Sequence, residues 1–215
     1  MPSHNTRSIK LIDIPLVRRL SESGIVLNAE MGLTRDARGP NSALLSSILF
    51  PRGLYTLVTD CDEQQVIGQF RYRADDLNAH IVYLAPGLDA VTDNTPWLHI
   101  LDAMARAAGK RGAHALIAEV ESSSSLFETM RRAGYAVYAR QLIWKHAPLA
   151  DPQRHNTLQL EEETADDQIA ISSLLYHTVP RMLQQVVAPP SDMQGLVYRQ
   201  GGTVMGYVLV SEGKQ

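Results

Sequence analysis

The chain has 215 residues, of which 45% are hydrophobic and 20% charged, with a formal net charge of −3. That composition fits a globular protein with a sizeable core and leaves no basic footprint for nucleic acid. The most compact apolar run, Ala43 to Phe50, is too short to span a bilayer, MPSHNTRSIK lacks the apolar core of a signal peptide, and a single cysteine, Cys61, allows no internal disulfide or cysteine metal cluster, so a cytoplasmic location is expected, without nucleic-acid or membrane partners.

Residues 7–14, RSIKLIDI, alternate loosely and predict a strand. Leu16 to Leu20 suit a helical turn. NSALLSSIL (41–49) suits a short helix closed by Pro51 and Gly53. LYTLVT, QVIGQFRYR and AHIVYLA are rich in β-branched and aromatic residues, and the acidic turns DCDEQ and ADDLN separate them. They predict an antiparallel meander over 54–85. Trp97, Ile100, Leu101, Met104 and Ala108 recur at helical spacing, which predicts a helix over 96–109. Gly109 and Gly112 end it, and Lys110 and Arg111 sit near its negative end. HALIAEV (114–120) reads as a buried strand. Ser125 and Glu128 have capping-box spacing and open a second helix that stops at Gly134. YAVYARQLIWKH (135–146) reads as a long strand.

APLADPQRHN (147–156), with two prolines, reads as a linker. TLQLEE (157–162) then predicts a strand and Thr164 to His177 a helix. LVYRQGGTVMGYVLV predicts a hairpin turned at Gln200-Gly201-Gly202. The pentapeptide Val204-Met205-Gly206-Tyr207-Val208 echoes Val66-Ile67-Gly68-Gln69-Phe70. We therefore read 1–146 as one module and 157–215 as the N-terminal half of a second copy. A half module leaves a strand edge open. It is expected to dock on the first module, to pair in a homodimer, or to meet a missing second half-module in a longer chain.

Strand, helices, three-strand meander, helix, strand, helix, strand: this order resembles the GNAT (general N-acetyltransferase) superfamily. The likeness rests on IVYLAP, on WLHILDAMARAAGKRGAHALIAEV and on LFETMRRAGYAVYARQLIWK, and covers about residues 7–146. It implies an α/β fold (an α+β sandwich) with a mixed, mostly antiparallel central sheet flanked by helices. It also implies acetyl-CoA as cofactor and acetyl transfer to an amine, on a small molecule or a peptide. By position, Leu84, Thr95, Trp97 and Leu98 fall where the family binds the cofactor.

The family holds the pyrophosphate on the amides of an Arg-Gly-x-Gly-x-Gly/Ala loop, which falls here on Thr92 to Trp97. None of these six residues is glycine or arginine, Pro96 has no N–H, and Asp89 and Asp93 bring negative charge. The residues instead predict a helix start that satisfies itself. Thr95 caps the free amides, Pro96 takes the first helical position, and Asp93 faces the positive end of the dipole. Charge-assisted hydrogen bonds contribute roughly 1.5–3 kcal/mol each, so loss of two weakens a site by about a hundredfold to ten-thousandfold.

The family's proton-donating tyrosine falls on Met130, a thioether, and its helix-start asparagine falls near Ser123. Tyr135 and Tyr138 remain as candidate donors. Glu119, with Glu121 on the same face if the strand continues, is the candidate general base. Two functions follow: an acetyltransferase, or a non-catalytic scaffold or ligand-sensing module that supports an active module or a dimer. Asp60, Asp62 and Glu63 occupy a predicted turn, where Asp is common for its own hydrogen bonding, and the seven histidines lack ligand spacing, so no metal is expected.

Overall fold

The computed structural model describes residues 4–28, 53–61, 64–74, 76–88, 93–144, 158–186 and 193–210. The helix expected at 41–49 and the linker expected at 147–156 lie outside the described residues. The chain divides into two compact units, Met1–Ala136 and Val137–Gln215.

In the first unit the meander forms as read, with β3 Leu54–Cys61, β4 Gln64–Arg71 and β5 Asn78–Ala85 pairing antiparallel in sequence. β1 (His4–Ser8) adds antiparallel to β3, and a two-residue strand, β2 (Ile25–Val26), adds antiparallel to β5. β6 (Ala115–Ile117) pairs parallel with β5. The strand order is β1-β3-β4-β5-β2, with β6 also on β5. This is a mixed, mostly antiparallel sheet in an α/β unit.

Both faces are covered, which is why the central strands read as near-continuous apolar runs. On one face, α1 (Ile14–Ser21) sends Val17 into a cluster with Val58, Ile67 and Val82. On the other, α2 (Thr95–Gly109) and α3 (Ser125–Arg132) pack Trp97, Ile100, Leu101, Met104 and Leu126 against Leu57, Phe70, Ile81 and Leu84. Gly68 sets the approach of α2 to the sheet. A Cβ there would lie 2.2 Å from the Met104 sulfur and 2.9 Å from Ile100 Cγ1.

Four local expectations need correction. The RSIKLIDI strand stops at Ser8, and Leu11–Asp13 forms a 3-10 turn leading into α1. Asp13 causes the turn: its carboxylate accepts the Lys10 N–H at 2.8 Å and two guanidinium bonds from Arg7 at 2.6 and 2.7 Å. The Arg7 bond holds the Asp13 carboxyl below its ordinary range. HALIAEV contributes a strand only over Ala115–Ile117, with Ile117 alone buried, because its ladder to β5 ends after three pairs. α3 starts after Ser124 without a Ser125–Glu128 capping box; the Ser124 hydroxyl donates to the Glu121 carbonyl at 2.8 Å. The helix does stop at Gly134, at φ +91. Residues 135–144 form no strand. Their alternation reports β propensity, but among the described residues no ladder takes them up, and Leu142 and Trp144 are 82% and 86% exposed.

The second unit holds β7 (Leu160–Glu162), α4 (Gln168–Thr178), α5 (Arg181–Val186), β8 (Gln194–Gln200) and β9 (Thr203–Val210). Its sheet is antiparallel, in the order β7-β8-β9. The expected hairpin turns at Gly201 and Gly202, both at positive φ (58 and 81), as a primed two-residue turn requires. The start before α4 is a capping box: Asp167 accepts the Thr164 N–H at 2.9 Å and its hydroxyl at 2.8 Å. Arg199 pairs with Asp167 and with Glu161, and its bond to Asp167 is the chief reason the Asp167 carboxyl is held down to about 2. Ile171, Val197 and Val204 form the small core.

Candidate functional site

The residues singled out for a cofactor lie where β5 ends and α2 begins. β5 and β6 run together for three pairs, ending at His80↔Ile117. Beyond that point the same edge of β5 is taken by β2, with Ile25↔Leu84 and Val26↔Tyr83 in register. Leu27 continues the segment. Its N–H donates to the Val82 carbonyl at 3.0 Å, and its carbonyl accepts the Glu119 N–H at 3.3 Å. Residues 25–27 therefore bridge β5 to the chain that follows β6. The Leu27 side chain is 3% exposed within the α2-side core. Gly24 fits against the Tyr83 ring, where a Cβ would meet the phenol oxygen at 1.7 Å. Leu84 is fully buried, with Gly68 on one side and Ile25 on the other.

At the start of α2 the amides already have acceptors. The Thr95 N–H donates to Asp93 Oδ1 at 2.9 Å, and the Trp97 and Leu98 N–H groups donate to the Asn94 carbonyl at 3.1 and 3.2 Å. Pro96 has none to give. The helix start differs from the expected one: the helix begins at Thr95, so Asn94 rather than Thr95 holds the cap position and Pro96 is the second helical residue rather than the first. The Thr95 hydroxyl donates to Asp93 at 2.7 Å, so Asp93 rather than Thr95 accepts the free amide. The Thr95 N–H bond first, and the hydroxyl bond second, hold the exposed Asp93 carboxyl below its ordinary range. Arg132 donates to the Asn94 side-chain oxygen at 3.0 Å, and Asn94 donates to the Thr129 hydroxyl at 3.3 Å, tying the helix start to α3. Trp97 is buried and its indole N–H reaches the Pro86 carbonyl at 3.2 Å.

These residues do not fit acetyl-CoA. A pyrophosphate needs free amides and positive charge at a helix start. Here the amides have partners, an anion stands beside them, and the edge of β5 at Leu84 carries a strand of the same chain.

The candidate catalytic residues sit apart in role. The Tyr135 hydroxyl donates to the Leu101 carbonyl in α2 at 3.3 Å, and burial pushes its pKa well above the ordinary phenol range. Met130 is core. Glu119 is half-buried and anchored through its backbone to Leu27. The strand ends before it, so no alternation places it on a face with Glu121, which accepts the Ser123 hydroxyl at 2.7 Å. Tyr138 falls in the second unit. His80 was not singled out from the sequence. It stands where the β5–β6 ladder ends, its pKa lowered by burial and by Arg71, with Asp76 and Glu119 acting in the opposite direction.

Among the described residues no group of three His, Cys, Asp or Glu comes together to hold a metal ion. Asp60 accepts the Gln65 amide at 2.6 Å within its hairpin; Asp62 and Glu63 lie outside the described residues. A shallow groove of about 330 Å³ between β1 and the last turns of α2 is rimmed by Arg7, Arg106, Lys110 and Arg111. Three of these cations are engaged, Arg7 with Asp13, Arg106 with Asp102, and Arg111 with the Ala107 carbonyl and the face of Tyr55.

No protein-family model and no curated protein sequence matches the chain. Solved structures similar to it include the aminoglycoside N-acetyltransferase AAC(6')-Iy in complex with CoA, at 11% identity over 68% of this chain and 96% of that one, TM-score 0.49. A predicted acetyltransferase with acetyl-CoA from Clostridium acetobutylicum is 13% identical over 66% of this chain and 96% of that one, TM-score 0.45. A ribosomal-protein-alanine N-acetyltransferase from Brucella melitensis biovar Abortus 2308 is 12% identical over 67% of this chain and all of that one, TM-score 0.44.

Proposed function

We propose that this chain is an N-acetyltransferase-like protein of the GNAT type whose first module serves as a non-catalytic scaffold or ligand-sensing domain. The element order in the sequence and the mixed sheet with helices on both faces support the type. One observation carries the non-catalytic reading: the Leu84 edge of β5 is paired with Ile25, and the amides at the start of α2 are bonded to Asp93 and Asn94. The reading takes 1–146 as the module, 147–156 as linker and 157–215 as a partial second module. The reading places it in the cytoplasm, a location supported by a cysteine count of one, which allows no internal disulfide.

The second reading is acetyl transfer from acetyl-CoA to a small-molecule or peptide amine. It is favoured by the shortness of β2, since a ladder of two residues is easily displaced from a sheet edge. Thiol release from acetyl-CoA across a broad amine panel separates the two. The scaffold reading expects release at the rate of the enzyme-free control. Amine-dependent, saturable release would establish the second reading instead.

A further inference from the structure

The groove between β1 and the last turns of α2 lies at the far end of the strand order from the β5–β2 pair. Register settles which β1 side chains face it. Thr6 stands opposite Thr59 and Ser8 opposite Leu57, and Leu57 packs in the α2-side core. Thr6 and Ser8 therefore share that face. The Thr6 and Thr59 hydroxyls bond at 2.7 Å. Arg7 stands opposite Val58 and turns to the α1 face, where Asp13 meets its charge.

The helix wall is a second stripe of α2, beside the one that enters the core. Ala103, Arg106, Ala107 and Lys110 recur at helical spacing, and Arg111 follows them. The two alanines keep this wall low and so leave the space of about 330 Å³. With Leu57, which is 7% exposed, they make an apolar floor. The cations stand above it. Arg111 is held by neutral groups: it donates to the Ala107 carbonyl at 2.7 Å and lies 4.1 Å from the centroid of the Tyr55 ring, which is itself stacked on Phe70 at 5.2 Å. These contacts fix the guanidinium without cancelling its charge, and they use one of its five N–H donors. Arg106 shares its charge with Asp102, while Lys110 and Arg111 add two further positive charges. The helix dipole favours cations at this end of α2, but it requires neither the alanines at 103 and 107 nor the seating of Arg111 on Tyr55.

We propose that this groove binds a short dicarboxylate, with one carboxylate on the Arg111 fork, the other on Lys110, and the methylenes on Leu57, Ala103 and Ala107. The planar guanidinium matches a carboxylate, and Ser8 supplies a hydroxyl donor on the opposite wall. A bare phosphate meets the cations but lays nothing on the apolar floor, and a monocarboxylate meets one cation only. The site stands apart from the Leu84 edge and from whether that edge binds acetyl-CoA.

Amide NMR spectra of the full chain, titrated with glutarate, test it. Amides of 6–8 and 106–111 should shift together and saturate, with a Kd of about 1–10 mM for so small a ligand in an open groove. Butyrate and inorganic phosphate should each bind about tenfold more weakly or worse. Lys110→Gln, at an exposed position, should weaken glutarate about tenfold, and so should Arg111→Lys, which keeps the charge and loses the fork. Ala107→Leu keeps every cation but fills the floor, and should abolish saturation with an unchanged circular dichroism spectrum. The absence of a saturable shift at these amides, phosphate binding as tight as glutarate, or glutarate binding that survives both Lys110→Gln and Ala107→Leu would each overturn the proposal.

Discussion

Leu27→Ala tests whether the segment on the β5 edge is part of the fold or a removable cover. Leu27 is 3% exposed, packs in the core beneath α2, and its backbone joins Val82 to Glu119. The substitution removes three carbons. At about 0.8 kcal/mol each this is roughly 2.4 kcal/mol, to which an unrelaxed cavity adds. The site lies at the margin of the sheet and partly collapses, so a total of roughly 2–4 kcal/mol is expected. At about 3–4 °C per kcal/mol for a unit of this size, Tm should fall by roughly 6–16 °C. Fluorescence reports it well, because Trp97 is 2% exposed in the same core, whereas Trp144 is 86% exposed and changes little on unfolding. A loss of less than about 1 kcal/mol, below the range for buried leucine truncation, would refute the reasoning and mark residues 25–27 as a detachable cover.

Gly68→Ala should cost roughly 1–3 kcal/mol by overpacking, because the new Cβ meets the Met104 sulfur, and Met104→Ala in the same chain should recover part of it; urea midpoints decide. Asp13 and Asp167 have folded pKa values below the ordinary carboxylate range, so their contribution is complete above about pH 4 and is lost as pH falls through the folded values, near 2 for Asp167. Asp167→Asn should therefore lower stability at neutral pH and flatten its decline between about pH 4 and 2, which chemical denaturation across that range reads. Pro96→Gly should destabilise the first unit by about 1 kcal/mol through the unfolded chain while leaving acetyl-CoA binding absent; a gain of binding would show that the helix start is one residue away from a phosphate site.

The meander, α2, the stop at Gly134 and the Gly201-Gly202 hairpin were legible because their causes are local: alternating β-formers, a 3.6-residue stripe, and glycines at positive φ. The start of α2 was legible in place but not in detail: Asn94 holds the cap position expected for Thr95, and Asp93 accepts the Thr95 N–H. Three things were not. Arg7 ends its own strand by reaching Asp13, a contact made only once the turn exists. Alternation at 135–144 could not say whether a neighbouring strand is present. Ile25–Val26 carries no motif, since its role comes from the edge of β5 that it meets, 57 to 59 residues further along the chain.

Calorimetric titration of the full chain with acetyl-CoA, with desulfo-CoA as control, tests the account most directly. The amides at Thr95, Trp97 and Leu98 and the edge at Leu84 are engaged, so no binding heat is predicted up to millimolar ligand. A saturable micromolar isotherm shared by acetyl-CoA and desulfo-CoA would contradict it, because it would require those same groups to be free.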